Sequence, residues 1–173
     1  MNISIEMLDE SRIYYDWKTL YVGISINLID YNELTTYALK VMCDDKYDEN
    51  DFINELSWGI ENSLKDEILA KMFIKFKFDR LLPGSKDWNL EIRRLKYVIL
   101  NYLRSTTKDN NELLEKVEEV YADFNYPQDM DEFIAYMPAK GSVLMNSIED
   151  NNKRMINNLD NFLELEKKEL DKK

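Results

Sequence analysis

The sequence predicts an all-α protein, and three observations support that prediction. The chain has four glycines and three prolines, so these two residue types make up about 4% of its 173 residues, whereas roughly 12% is usual. Apolar residues recur at spacings of three and four in nearly every segment, as on one face of a helix. Clean alternation appears only near Phe73–Phe78. We therefore expect one compact domain over residues 1–173, with roughly seven or eight helices.

The first predicted helix runs from about Ile5 to Trp17, with Ser4 as its N-cap. Residues 20–29 are nearly all apolar and indicate a short buried helix and a turn, with a strand as the alternative. Asp30 and Glu33 have the spacing of a capping box. The helix that follows them carries its apolar residues at positions Leu34, Tyr37, Ala38, Val41 and Met42.

Two more helices are predicted before Pro83-Gly84, which ends the second of them. Asn50 or Asp48 is the expected cap of the first, whose apolar residues are Phe52, Ile53, Leu56 and Ile60. Ser63 is the expected cap of the second, whose inward residues are Leu64, Ile68, Leu69, Met72, Phe73 and Phe76. Residues 73–80 alternate apolar and basic side chains, so a short strand is the alternative there.

Four helices are predicted after Pro83-Gly84. Ser85 caps one whose apolar stripe is Trp88, Ile92, Leu95, Ile99 and Tyr102. The next carries Leu113, Val117, Val120, Tyr121 and Phe124 and ends at Tyr126-Pro127. A short helix over Met130, Phe133, Ile134 and Met137 precedes Pro138 and Gly141. Ser142 then caps a C-terminal helix with Leu144, Ile148, Met155, Leu159 and Phe162 inward, and residues 164–173 are expected to fray.

The chain has no histidine, which is the usual general base near neutral pH, the usual partner of a catalytic serine or cysteine, and the commonest transition-metal ligand. With Cys43 as the single cysteine, the chain can assemble neither a Cys/His zinc set nor a Cys–His nucleophile pair. Four isolated glycines cannot form a phosphate-binding loop. The acidic segment Asp44–Asp51 lacks the glycine of a calcium loop. We therefore expect no enzyme, no cofactor and no metal, with a carboxylate-based hydrolase as the remaining enzymatic alternative. Cys43 follows an apolar stripe and is expected to be a buried thiol.

The first residues of the chain do not have the pattern of a signal peptide. Charged residues stand within the first ten positions, and no apolar run approaches the ~18 residues of a spanning helix. A cytoplasmic protein is the expectation. Trp17 and Trp88 lie in phase with apolar stripes and are expected to be core residues. Trp58 is out of phase with Leu56 and Ile60, so it is the tryptophan expected to be exposed.

Charge is the feature that bears most on partners. The net charge of −11 disfavours nucleic acid and anionic membranes and favours a basic partner. Residues 65–96 hold nine bases and five acids, a net of +4, whereas residues 106–137 hold nine acids and two bases, a net of −7. Two solvated faces are the simpler interpretation. The alternative is an acidic protein-binding surface, whose candidate residues are Glu115, Glu118, Glu119, Asp123, Asp129, Asp131 and Glu132.

Residues 120–138 read VYADFNYPQDMDEFIAYMP and resemble a block of the uncharacterised bacterial family called domain of unknown function 2247. The similar residues are Tyr121, Ala122, Asp123, Phe124, Tyr126, Pro127, Phe133, Tyr136, Met137 and Pro138. An earlier stretch is also similar, at Trp17-Lys18-Thr19, Gly23, Leu28, Ile29 and Tyr37-Ala38.

The resemblance implies a small bacterial protein of undetermined biochemistry. Some members of the family look like immunity proteins, which neutralise toxins delivered between competing bacteria. We therefore expect a non-enzymatic domain that binds another protein, as an immunity protein against a basic toxin such as a nuclease. A helical adaptor or regulatory subunit is the first alternative, and the hydrolase is the second. The sequence does not indicate an oligomeric state.

Overall fold

The computed structural model describes residues 2–44, 47, 49–61, 64–137 and 147–171. Within those residues the chain forms eight α-helices, one 3₁₀ helix and no strand, so the all-α prediction is confirmed. The helices are α1 (Ile5–Ser11), α2 (Trp17–Ser25), α3 (Glu33–Met42), α4 (Asp51–Ser57), α5 (Lys65–Lys75), α6 (Lys86–Thr106), α7 (Asn110–Asp123), the 3₁₀ helix (Gln128–Phe133) and α8 (Ile148–Leu170). The contacts group into two units, Met1–Leu95 and Lys96–Lys173, with the boundary inside α6.

The helix predicted from Ile5 to Trp17 ends early, at Ser11. Ser4 is the N-cap of α1, as predicted, and its side chain accepts a hydrogen bond from the Met7 N–H. Arg12 has a φ of 57° and so ends α1 in the left-handed conformation. Asp16 then starts α2 with a capping box, because its side chain accepts from the backbone while Thr19 Oγ1 accepts from the Asp16 N–H.

Residues 20–29 form a helix and a turn, as predicted, although α2 begins already at Trp17. Asn27, with a φ of 59°, turns the chain back so that Ile29 forms an isolated parallel bridge with Ile3. Gly23 permits this return, because a Cβ built there would lie 2.4 Å from the Ile29 side chain. A larger residue would therefore displace Ile29 from the core of the first unit.

The capping box predicted at Asp30 and Glu33 does not form. Asp30 accepts a hydrogen bond from the Asn32 N–H, and Asn32 is the N-cap of α3 without a side-chain bond. The Glu33 carboxylate instead accepts from the Ile5 N–H at 2.9 Å, at the first residue of α1. A carboxylate near a helix N-terminus is favourable for the helix dipole, so a tertiary contact replaced the local one.

Cys43 is exposed, not buried as expected, because α3 ends at Met42 and Cys43 is the C-cap. Asn50 is the N-cap of α4, as predicted, and accepts from the Phe52 and Ile53 N–H groups. The caps proposed at Asp48, Ser63 and Ser142 lie outside the described residues. The same holds for Pro138, Gly141 and Leu144.

Helix α5 buries less than its pattern indicated. Ile68 and Met72 are buried, whereas Leu64 is exposed. Leu69, Phe73 and Phe76 are half-buried. Phe76 belongs to an aromatic cluster in which its ring stacks on Trp17 with centroids 5.0 Å apart. The helix ends at Lys75, and the left-handed Lys77 turns Phe78 into the core, so residues 73–80 contain no strand.

Helix α6 begins as predicted, with Ser85 accepting a hydrogen bond from the Trp88 N–H at 3.2 Å. Of its predicted apolar stripe, Leu95 and Ile99 are buried. Trp88, Ile92 and Tyr102 are half-buried, and Trp17 is half-buried like Trp88. Three charged residues of α6 are buried, which the pattern did not predict: Glu91, Arg94 and Lys96.

In the second unit α8 packs against α7 and against the 3₁₀ helix. The predicted inward residues Leu113, Val117, Val120, Tyr121, Met130 and Phe133 are buried. Ser147 caps α8, and Ile148, which was expected to face inward, is exposed because it opens the helix. Fraying was expected from residue 164, but α8 continues to Leu170, whose side chain is only 2% exposed. No helix in the described ranges has the length and hydropathy needed to cross a bilayer.

Candidate functional site

Helix α7 carries an acidic stripe, which we define as Glu115, Glu119 and Asp123. Asp109 caps the helix by accepting from the Glu112 N–H at 2.9 Å. The apolar residues Leu113, Val117 and Val120 are buried, and this fixes the rotation of the helix. The three acids, spaced four residues apart, therefore lie along one exposed face.

No base among the described residues compensates the charge of the acidic stripe. Glu115, Glu119 and Asp123 make no hydrogen bond or ion pair with any other residue that the structure describes. The one base of α7, Lys116, pairs with Glu112 at 2.6 Å. Like charges four residues apart destabilise a helix, and an acid in the last turn opposes the helix dipole. The charges of the stripe therefore do not stabilise α7.

Glu118 lies on the flank of the stripe and is half-buried. Partial desolvation and, next, the neighbouring charge of Glu118 raise the pKa of Tyr136 above its ordinary value. Tyr136 itself is exposed, and its ring lies 6.2 Å from that of Tyr121. Glu118 therefore lies next to an exposed aromatic side chain and is partly covered, whereas the three acids of the stripe are exposed.

Asp129 has a structural partner. Its carboxylate lies 2.5 Å from Lys96 Nζ, and the Lys96 side chain is only 5% exposed. The same ammonium group lies 5.7 Å from the centroid of the Phe162 ring. A buried ammonium group needs a counter-ion, so Asp129 neutralises Lys96 within the second unit. A lone lysine in the apolar run Leu95–Leu100 is the sequence signal for this pair, and the sequence-based prediction did not include it.

Asp131 and Glu132 are also tied to the fold. Asp131 accepts a hydrogen bond from the Tyr121 hydroxyl at 2.8 Å, which raises the pKa of Tyr121 to about 12. The backbone carbonyl of Glu132 accepts from Asn158 at 2.9 Å, and the Glu132 side chain is exposed. The structure therefore brings the candidate acids onto neighbouring segments, and among the described residues it leaves the acidic stripe and Glu118 on its flank without a hydrogen bond or an ion pair.

Residues 5–167 match the family described as an uncharacterized protein conserved in bacteria (DUF2247). The chain belongs to this family. The resemblance based on residues 120–138 and on the earlier stretch is thereby confirmed. Neither the curated proteins nor the solved structures contain a significant match to the chain.

Several of the residues that resemble the family's pattern pack against other side chains. The Trp17 ring meets Tyr37 edge-on with centroids 4.6 Å apart. Tyr121 meets Tyr126 in the same way at 5.3 Å. Thr19 is buried and donates a hydrogen bond to Glu91 at 2.7 Å. These matching residues therefore hold the fold together, whereas Asp123 of the same pattern is exposed in the acidic stripe.

Glu91 and Arg94 form a buried ion pair in the first unit. Glu91 is 2% exposed and lies 2.6 Å from an Arg94 terminal nitrogen. Burial raises the pKa of Glu91, although the Thr19 hydrogen bond and the Arg94 charge both lower it. The Arg94 guanidinium lies 5.2 Å from the centroid of the Tyr14 ring, and its Nε makes no hydrogen bond to any residue that the structure describes. Because Glu91 and Arg94 are buried and neutralise each other, we assign this ion pair a structural role.

The described residues contain no group of three or more Cys, Asp or Glu side chains arranged to hold a metal ion. The three acids of the stripe project from one helix face instead of converging. What this arrangement can do is attract and hold positive charge on an open surface. An exposed carboxylate accepts hydrogen bonds from lysine and arginine side chains without rearrangement of the core.

Proposed function

We propose that this protein is a non-enzymatic binding domain, an immunity protein that neutralises a cognate basic toxin through the acidic stripe of α7. One observation supports the proposal most. Glu115, Glu119 and Asp123 are exposed on a single helix face and lack partners among the described residues. Paired acids are already neutralised, so unpaired ones offer the greatest gain to an incoming base.

The physical consequence is a surface that steers a basic partner. Carboxylates spaced by one helical turn give a row of negative potential, and the net charge of −11 reinforces it at long range. Steering raises the association rate and weakens as salt shortens the Debye length to about 10 Å at 0.1 M. An acidic inhibitor that covers a phosphate-binding surface also excludes the substrate of a nuclease.

The first test is protection. A candidate toxin from a neighbouring gene is expressed in a bacterial host with and without this protein, and viable counts are compared. Restored growth together with a direct complex of the two purified proteins is the expected result. A complex without restored growth would make the protein an adaptor instead. The absence of any complex would contradict the proposal for that toxin.

The second test locates the surface. A variant with Glu115→Lys, Glu119→Lys and Asp123→Lys should associate with the toxin at least tenfold more slowly at low salt. The matched control reverses Glu6, Glu10 and Asp79, which are exposed acids of the first unit, and so changes the net charge equally. Equal association rates for the two variants would exclude the acidic stripe from the interface.

A further inference from the structure

Trp58 is the most exposed large apolar side chain among the described residues, with 89% of its surface accessible. The prediction that it would be the exposed tryptophan is confirmed. Tryptophan carries a large apolar area and an electron-rich ring face, and it is enriched among the residues that dominate binding energies. An almost fully exposed tryptophan is therefore a candidate contact residue for a binding partner.

The local backbone fixes the position of Trp58. It is the C-cap of α4, where its N–H bonds to the Glu55 carbonyl at 3.3 Å. Gly59 follows with a φ of +96°, a conformation that other residues rarely adopt. A β-carbon added at Gly59 would meet nothing within 4 Å, so the backbone turn and not crowding requires glycine there. The ring is thus presented by a defined helix end.

A groove of about 490 Å³ runs beside Trp58 and along α4. Asp51, Glu55 and Trp58 line it from one face of the helix, and Glu61 and Leu64 line it from the following segment. Among the described residues of this lining there are three carboxylates and no base. Glu55 pairs with Lys71 at 2.8 Å, whereas Asp51 and Glu61 have no partner within the described part of the chain.

Several features of this groove favour a cation. A ring face attracts positive charge within about 6 Å of its centroid, and tryptophan does so best. The C-terminal end of a helix carries partial negative charge, and Trp58 caps that end of α4. Two carboxylates without partners add full negative charge. Among biological cations the guanidinium is planar and weakly hydrated, and it can stack on the ring while it binds a carboxylate with two hydrogen bonds.

We propose that the groove beside Trp58 is a second protein-docking site, which binds an arginine side chain of a basic polypeptide segment. The guanidinium stacks on the Trp58 ring, and Asp51 and Glu61 neutralise it. The aliphatic part of the arginine and its neighbours contact Leu64. This site lies in the first unit and does not depend on the function proposed for α7.

The test uses the full chain and three capped peptides, Gly-Gly-Arg-Gly-Arg-Gly-Gly and its lysine and citrulline counterparts. The indole N–H signals of the three tryptophans are followed by NMR, and Trp58→Phe identifies the signal of Trp58. The arginine peptide should shift that signal saturably, with an affinity at least fivefold above that of the lysine peptide. Citrulline, which is isosteric and uncharged, should cause no saturable shift.

Two variants test the assignment. Asp51→Asn with Glu61→Gln should weaken binding at least fivefold. Trp58→Ala, which has no Trp58 signal and is therefore compared with wild type by isothermal titration calorimetry, should lose binding while its circular dichroism spectrum stays unchanged. The matched control neutralises Glu115, Glu119 and Asp123 and should leave the Trp58 shift unchanged, which separates this site from the α7 stripe. Equal shifts from the arginine and lysine peptides would overturn the proposal. So would sedimentation data in which wild type dimerises and Trp58→Ala does not, because the occupant would then be a second copy of the chain.

Discussion

The Glu91–Arg94 pair of the first unit and the acidic stripe of the second differ in the burial of their charges and in whether those charges are paired. Glu91 is buried and is held by Arg94 and Thr19. The three acids of the stripe are exposed, and no described residue pairs with them. Removing a carboxylate from water costs several kcal/mol in effective terms, whereas water solvates an exposed one fully. A buried charge therefore requires a partner inside the fold, and an exposed one remains available to a partner outside it.

Lys96 and Asp129 lie between these two extremes. Lys96 is buried like Glu91, but the Asp129 side chain keeps 44% of its surface accessible. Water can then share the neutralisation of Lys96, so the pair should matter less to stability than Glu91–Arg94. The burial of an acid and of its partner, not the presence of charge, decides whether that acid belongs to the fold or to its surface.

Removing Arg94 is expected to have the largest effect on stability. Arg94→Met should lower the free energy of unfolding by about 3–5 kcal/mol, because Glu91 then remains buried without its counter-ion. Urea denaturation at pH 7 measures the loss. Arg80→Met removes an exposed base from the same unit and should change stability by less than about 0.5 kcal/mol. Equal losses in the two variants would mean that the buried pair has no special role.

Replacing both partners refines this comparison. Glu91→Leu combined with Arg94→Met should recover most of the loss, since apolar side chains of similar volume need no counter-ion. A double variant as unstable as Arg94→Met would indicate that the packing of Arg94 against Tyr14, and not its charge, carries the effect.

The loss caused by Arg94→Met should also depend on pH. Burial raises the pKa of Glu91, and without Arg94 this pKa should rise further. A carboxyl whose pKa is higher in the folded state contributes stability below its unfolded pKa, about 4.3, and this contribution is lost as pH rises through the folded value. The difference between wild type and Arg94→Met should therefore be smaller at pH 5 than at pH 7.5. A difference that is constant across this range would contradict the assignment.

Asp129→Asn should have an intermediate effect, a loss of about 1–3 kcal/mol, because it leaves the Lys96 ammonium buried without an opposite charge. Thermal or urea unfolding monitored by circular dichroism gives the measurement. Asp123→Asn, an isosteric change in the acidic stripe, is the matched control and should not destabilise the protein. A stability unchanged by Asp129→Asn would place Asp129 with the stripe as an acid free to bind a partner.

The fold class and most helix positions could be predicted from the sequence because they depend on local patterns. Apolar spacing located α6 and α7, and the caps at Ser4, Asn50 and Ser85 follow from side chains that bond to nearby N–H groups. Arg12 ends α1 and Lys77 turns the chain after α5, both in the left-handed conformation. A glycine at such a position would have indicated this conformation in the sequence, whereas arginine and lysine do not. Such endings shortened the first predicted helix and removed the alternative strand.

The candidate site could be predicted only in outline. Sequence periodicity places Glu115, Glu118 and Glu119 on the polar face of α7; in the structure Glu115 and Glu119 are exposed, whereas Glu118 is half-buried. The partners of Asp129 and Glu33 lie 33 and 28 residues away, at Lys96 and at the Ile5 N–H. Contacts over such separations depend on how helices pack, which spacing along the chain does not encode. The division of the acids into paired and unpaired groups therefore required the structure.

Neutralising the acidic stripe should have the smallest effect, and its sign is opposite to the others. Glu115→Gln, Glu119→Gln and Asp123→Asn together remove two like-charge contacts of roughly 0.2–0.5 kcal/mol each, so α7 should gain about 0.4–1 kcal/mol. Added salt should reduce this gain, because screening weakens the same repulsion in wild type.

Glu112→Gln is the control on the same helix. Because Glu112 pairs with Lys116 and lies in the favourable first turn, this variant should lower the free energy of unfolding by about a few tenths of a kcal/mol. Urea denaturation at low and at high salt compares the two variants. A loss of stability in the triple variant would mean that the stripe stabilises the folded chain, and that binding is not needed to explain its unpaired charge.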